Sequence, residues 1–284
     1  MHITVIGAAN IDILTKSKSK IMPGASNPAD VSLTAGGTAR NIAAMLALRG
    51  EDVSLITAVG NDPFGNLLKE SCSDIGINTD AWIIKNNTST GVNLETFDSD
   101  GEPYTAFSAV STPESIKTAE ITKYKGLIKD TGLLILDLNL TEKILAAIFE
   151  LRDKSPIMVD SVSVDKVKRA DNFLSRIDVL KLNRLEAERL TGITLETKER
   201  VKHACFNILN RGVKRVFITL GMAGVCAADG NTAIFVPALP IAVKNKSGAG
   251  DAFSTGLAIK IDKDLRTQAE SGIALAAEHI GRKG

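Results

Sequence analysis

Short apolar runs alternate along the chain with stretches whose apolar residues recur at helical spacing. Residues 3–7, built on Ile3, Val5 and Ile6, read as a first strand, and residues 53–59 as a second. Leu133–Asp137, Ile157–Asp160, residues 179–182 and residues 215–220 have the same character. Residues 38–49 carry helical periodicity and stop at Gly50, and a further helix is predicted from Pro63 to about Asp74. Helical stretches separate most of the later strands. The alternation predicts an α/β fold, with a mostly parallel sheet covered by helices on both faces.

Two regions break the rhythm. Residues 15–30 are polar, with three lysines and two prolines, and read as a mobile loop. Residues 90–97 and Pro103–Ala109 are β-prone and flank Asp100-Gly101, a hairpin turn signal. With strands near residues 11–14 and 31–34 they predict a small sheet beside the main one. Such a sheet suits a lid over a site, and ordinary edge hairpins are the other reading. On this basis residues 1–284 form one domain, with lid segments at about 11–35 and 81–110. The chain shows no internal repeat or low-complexity segment.

Charge narrows the partners. Lys and Arg number 34 against 33 Asp and Glu, a net charge of +1, so no general attraction to nucleic acid or an anionic membrane is expected. No apolar run approaches the ~20 residues that span a bilayer. The opening residues read as a strand rather than a targeting leader, so a soluble, cytoplasmic protein is expected. Cys72, Cys205 and Cys226 are widely spaced, which argues against a disulfide framework. His2, His203 and His279 are too few and too scattered for a histidine metal site.

The strongest chemical signal is Ser247-Gly248-Ala249-Gly250-Asp251-Ala252-Phe253. A small, glycine-rich turn runs into an apolar helical pattern, so backbone amides at the helix start can converge on an anion. Asp251 beside such a site would repel a bound phosphate. That placement suits a base for an attacking hydroxyl in phosphoryl transfer; a helix-capping aspartate is the alternative. A carboxylate of ordinary pKa, near ~3.9, would be ionised at neutral pH. No GxxxxGK[ST] P-loop occurs, and Gly7-Ala8-Ala9 lacks the dinucleotide spacing.

Taken in order, four segments resemble those of the ribokinase-like (PfkB-type) carbohydrate kinases. They are Ala35-Gly36-Gly37-Thr38-Ala39-Arg40-Asn41-Ile42-Ala43, Asn183-Arg184-Leu185-Glu186, Thr219-Leu220-Gly221 followed by Gly224, and Gly248-Ala249-Gly250-Asp251-Ala252-Phe253. The resemblance runs from Ile3 to about Ala277 and implies a doubly wound, ribokinase-like fold with a small β lid. Within the family, Gly7-Ala8-Ala9-Asn10-Ile11-Asp12 and Val159-Asp160-Ser161-Val162-Ser163-Val164-Asp165-Lys166 are most similar to the pseudouridine kinases. That implies transfer of the ATP γ-phosphoryl to the 5′-hydroxyl of pseudouridine. Another sugar or nucleoside kinase of the family is the alternative, and a non-catalytic sugar-binding regulator a more distant one.

The resemblance also implies roles. Asp251 acts as base, with the amides around Gly248, Ala249 and Gly250 as anion cradle. Asn10, Asp12, Gly37 and Asn41 bind the sugar, whose vicinal hydroxyls can donate two hydrogen bonds to Asp12. From the residues themselves, Asn93 is a candidate contact to the nucleobase, with a plain strand-surface role as its alternative, and Lys166, a second-rank candidate, could contact a nucleobase carbonyl or lie on a solvated helix face. Asn183, Thr219, Gly221, Gly224 and Lys246 face the nucleotide. Glu186 holds Mg²⁺ through water, with a capping box between Asn183 and Glu186 as its alternative. Asp137, Asn139 and Asp160, at or just past strand ends, are second-rank candidates. Asn245-Lys246-Ser247 departs from the family's pattern, which leaves a K⁺ requirement open. A homodimer through the lid is expected.

Overall fold

The structure, a computed structural model, describes residues 1–242 and 247–281. In chain order its strands are β1 (His2–Ile6), β2 (Asn10–Ser17), β3 (Ala29–Gly36), β4 (Asp52–Ile56), β5 (Ala58–Gly60), β6 (Ile83–Lys85) and β7 (Gly91–Phe97). There follow β8 (Pro103–Ala109), β9 (Leu133–Asp137), β10 (Ile157–Asp160), β11 (Val179–Asn183), β12 (Arg215–Thr219), β13 (Val225–Asp229) and β14 (Thr232–Val236).

Eight strands form the main sheet in the order β14-β13-β12-β11-β10-β9-β1-β4, parallel from β4 to β12 and antiparallel beyond. From β1 the chain winds outward to β4, then returns to the other side of β1 and winds through β9 to β12. The reversal opens a crevice past the carboxyl ends of β1 and β9, where ligands settle in such sheets. Alternation along each strand divides its side chains between two cores. Leu133 and Ile135 of β9 pack with Ile42, Phe253 and Leu257, while Leu134 and Leu136 pack with Ile144, Phe149 and Leu190. The helices Thr38–Ala47, Ala249–Ile259 and Leu265–Gly281 cover the first face; Glu142–Leu151, Arg184–Thr191 and Lys198–Asn210 cover the second.

Beside it stands a four-stranded sheet, β3-β2-β7-β8, with β2 antiparallel to β3 and parallel to β7. Asp62 ties it to the main body. Asp62 caps the helix Pro63–Ser73 by accepting from the Gly65 amide at 2.8 Å, and also accepts from the Thr90 amide at 2.7 Å and hydroxyl at 2.6 Å.

Two expectations are corrected. The polar segment 15–30 is shorter as a loop, because Thr15–Ser17 extend β2 and pair with Ala29–Val31. Ladder hydrogen bonds belong to the backbone, and on an exposed sheet polar side chains do not oppose them. The run 53–59 is two strands broken at Thr57, with β5 leaving the main sheet to pair with β6. Beyond the parallel strands, β13 and β14 form a hairpin turning at Gly230, which adds two antiparallel strands to the sheet. Cys205 and Cys226, remote in sequence, lie with their Sγ atoms 3.7 Å apart in the core, both as free thiols. Among the described residues, no helix is long and apolar enough to cross a membrane.

Candidate active site

Asp137, at the end of β9, organises the crevice. Its Oδ2 accepts from the amides of Ala8 at 2.9 Å and Ala39 at 3.0 Å, and its Oδ1 from the Asn139 amide at 2.9 Å. One buried carboxylate thus pins the turn after β1 to the first turn of the Thr38–Ala47 helix. Burial pushes its pKa up, and the three amides pull it back. Gly37 caps that helix at φ 98°, where a Cβ would lie 2.5 Å from the Ala8 carbonyl oxygen. Only glycine fits both the dihedral and the space.

The register of the small sheet sets Thr34, Asp12, Asn93 and Ser108 in one row across its four strands. Asp12 Oδ1 accepts from Asn10 Nδ2 at 2.6 Å and Asn93 Nδ2 at 3.0 Å, and the Ser108 hydroxyl donates to Asn93 Oδ1 at 2.7 Å. Asp12, Asn93 and Ser108 of this row face a cavity of about 450 Å³, also lined by Gly37, Asn41, Asn139, Val162, Lys166, Gly248 and Asp251. Lys166 Nζ donates to Asn139 Oδ1, and burial lowers the Lys166 pKa.

Gly248 caps the Ala249–Ile259 helix in the left-handed conformation, φ 73°. Ala252 N donates to Gly248 O, so the amides before it, at Ala249, Gly250 and Asp251, belong to the helix's open first turn. On the far side of this turn lies a second cavity of about 360 Å³. Ala249, Gly250, Thr219, Gly221 and Gly224 line it with Phe253 and Ile273. The turn is therefore a wall between a polar cavity and an apolar one, with Gly248 and Asp251 facing the first and Ala249 and Gly250 the second.

Asp251 Oδ2 accepts from Asn41 Nδ2 at 2.8 Å. Burial, reinforced by the negative Asp160, pushes its pKa up to about 7 against the Asn41 hydrogen bond and the Lys181 charge. This corrects the expectation of an ordinary carboxylate: burial of the group and the neighbouring Asp160 carboxylate, both set by the fold, raise it. A group titrating near neutrality can both take and return a proton there.

Asn183 and Glu186 line neither cavity. They form the capping box of the Arg184–Thr191 helix: Asn183 Oδ1 accepts from the Glu186 amide at 2.9 Å, and Glu186 Oε2 from the Asn183 amide at 2.7 Å. Glu186 also accepts from the Ser161 hydroxyl at 2.5 Å and Asn183 Nδ2 at 2.6 Å. Among the described residues no group of three His, Cys, Asp or Glu side chains is arranged to hold a metal. The buried Glu186 carboxylate already accepts three hydrogen bonds, so an ion could reach it only through bridging water. Lys246 lies outside the described residues.

Sequence reasoning passed over Lys181, buried in β11 with Nζ 3.1 Å from Asp160 Oδ2. The available signal was a lysine inside an otherwise apolar run. Ser108 was also missed, since only the strand register brings it beside Asn93.

A family model described as pfkB family carbohydrate kinase matches residues 1–284. The chain is 33% identical over 259 residues to a pseudouridine kinase of Escherichia coli, covering 90% of this chain and 82% of the relative. It is 25% identical over 284 residues to a guanosine-inosine kinase of Exiguobacterium acetylicum, covering 98% and 94%. Its fold matches the structure of Arabidopsis thaliana ribokinase complexed with ribose and ATP at a TM-score of 0.86 and 25% identity, over 99% of this chain and 93% of that one.

Proposed function

The chain belongs to the pfkB family of carbohydrate kinases, and from that premise we propose that it phosphorylates the 5′-hydroxyl of pseudouridine. As a member it is an ATP-dependent phosphotransferase acting on a sugar or nucleoside. The observation that carries the reading is the Gly248–Asp251 turn standing between a polar cavity and an apolar one.

The polar cavity takes the acceptor. Asp12, with Asn10 and Asn93 donating to one of its oxygens, presents the other to sugar hydroxyls. Asn41 and Gly37 close the floor. The acceptor hydroxyl approaches Asp251, whose carboxylate Asn41 orients. Its oxygen attacks the γ-phosphorus as its proton passes to Asp251, and the bond to the ADP oxygen breaks. The first-turn amides of Ala249, Gly250 and Asp251 stabilise the charge that collects on the transferring group. Thr219, Gly221 and Gly224 flank the base and ribose of the donor. Asn183 would meet the donor's phosphates and Glu186 would hold a hydrated Mg²⁺, which would supply charge neutralisation, although neither side chain lines the two cavities as they stand. The small sheet serves as a lid that excludes water. Its exposed Val31, Leu33, Tyr104 and Phe107 make it the surface for pairing with a second copy.

Pseudouridine and uridine share a ribose and differ at the glycosidic link, where pseudouridine exposes an additional ring N–H. A buried acceptor left unpaired costs about 1–3 kcal/mol, so kcat/KM for pseudouridine should exceed that for uridine by at least ~10-fold. Lys166 and the remaining lone pair of Asn93 Oδ1 are the base contacts proposed. A panel of pseudouridine, uridine, inosine, guanosine, adenosine and ribose, assayed at limiting concentration with Mg-ATP, tests the reading. Preference for a purine nucleoside, the second reading favoured by the Exiguobacterium relative, or for free ribose, would sink the pseudouridine assignment and leave the kinase intact.

A further inference from the structure

A lysine has no packing reason to sit in β11. That strand lies between β10 and β12 with both faces covered, and Lys181 is 6% exposed. Apolar residues of similar volume commonly serve such positions as well or better than a buried ion pair. Yet the ammonium is elaborately held. Asp160 Oδ2 meets Lys181 Nζ at 3.1 Å and accepts from the Ser254 hydroxyl at 2.6 Å. Ser254 lies one turn after Asp251 on the Ala249–Ile259 helix. Asp160 Oδ1 accepts from the Val162 amide at 3.0 Å. Val162 is a β-branched residue at φ 64°, the one non-glycine with positive φ among the described residues, and it lines the polar cavity. Backbone strain of this kind persists where surrounding contacts over-determine it.

The end of the lysine is equally specific. A Cβ on Gly250 would lie 2.8 Å from Lys181 Nζ, so the ammonium sits directly behind the glycine turn.

We propose that Lys181, held by Asp160, is a positioning residue for phosphoryl transfer: it keeps a fixed positive charge behind Gly250, where the acceptor's base and the incoming phosphate meet. The inference rests on the reading of Asp251 as that base. The groups facing Asp251 come from every side of the site: Asp137 from β9, Asp160 from β10, Lys181 from β11 and Asn41 from the Thr38–Ala47 helix. Glu186 faces Lys181 from the Arg184–Thr191 helix, and His279 Nε2 approaches the Ser247 carbonyl from the Leu265–Gly281 helix at 3.0 Å. Burial works against the Lys181 ammonium, but Asp160, Glu186 and Asp251 outweigh it and hold its pKa above the ordinary lysine value. The charge is therefore permanent. It offsets carboxylates that would otherwise repel a phosphate, and it limits how far burial can raise Asp251.

The two partners act on Asp251 with opposite sign, and this separates positioning from mere structure. Lys181→Met, Asp160→Asn and Asp251→Asn are compared in the full-length chain, each with melting curves and with kcat and KM followed from pH 5.5 to 9. Lys181→Met should lower kcat at least ~10²-fold, change the acceptor KM less than about threefold, and move the acid limb of kcat/KM up by about one pH unit. Asp160→Asn, whose amide oxygen still accepts from Val162, should move that limb down. If both folded variants lose activity with the limb unmoved, the pair is structural and the inference is overturned. If Lys181→Met does not fold, Asp160→Asn decides alone: an unmoved or upward limb overturns the proposal. Near-parent turnover in Asp251→Asn removes the base reading itself, an outcome distinct from either.

Discussion

At Asp251, the proposed role as base and the stability of the fold pull in opposite directions. Its carboxyl titrates at about 7 in the fold against 3.8 unperturbed. A folded pKa raised in this way means the protonated form favours the fold, and its contribution is lost as pH rises through about 7. The displacement corresponds to at most roughly 4 kcal/mol. Asp251→Asn should therefore lower kcat by at least ~10²-fold while stabilising the protein. The gain should grow between pH 4 and pH 7 and level off above, and denaturant melts of parent and variant at pH 5 and pH 8 measure it. Equal differences at both pH values would refute the sign. The parent's kcat/KM should fall on the acid side of about pH 7, not below pH 5. Gly37 is the other residue with a sharp expectation. Gly37→Ala drives a methyl into the Ala8 carbonyl at φ 98°, which should cost about 1–3 kcal/mol and raise the acceptor KM, read from melting curves and initial rates.

Helix ends and strand register are the elements that assemble the site. The Arg184–Thr191 helix begins with a complete capping box, so Glu186 has a structural role whatever else it does. Glu186→Gln separates the two. Glutamine keeps an oxygen that accepts from the Asn183 amide, so a purely structural role should cost no more than ~1 kcal/mol in a denaturant melt, with the Mg²⁺ dependence of the rate unchanged. A role in holding a hydrated ion should also weaken apparent Mg²⁺ affinity by roughly tenfold or more, and that is the expected outcome. In the small sheet, Asp12, Asn93 and Ser108 meet because β2, β7 and β8 pair in one register. A one-residue slip would turn the whole row to the opposite face.

Across the whole molecule, the four-stranded sheet carries one side of the polar cavity, while the main sheet carries Asp137 and Asp160 and the Ala249–Ile259 helix packed on it carries the glycine turn. Hydrogen exchange should report that division. Adding the acceptor should slow exchange in Asn10–Ser17, Ala29–Gly36 and Gly91–Phe97 and leave β9 and β10, already buried, unchanged. Equal protection of the small sheet with and without acceptor would count against its acting as a lid. What the amino-acid sequence determined by itself is local. The alternation of apolar runs specifies an α/β sheet, Gly36-Gly37 and Gly248-Ala249-Gly250 mark tight helix entries, and Asn183 with Glu186 signals a cap, because each effect acts within a few residues. What depended on tertiary structure comes from residues distant in sequence. Thr15–Ser17 become strand by pairing with Ala29–Val31, and Cys205 comes to face Cys226. Asp251 acquires its proton affinity from burial and from Asp160, 91 positions away in the numbering. Lys181 reads as an irregularity in an apolar strand until Asp160, Ser254 and Gly250 are brought around it. Proton affinity and charge pairing depend on dielectric and distance, and only the folded chain sets those.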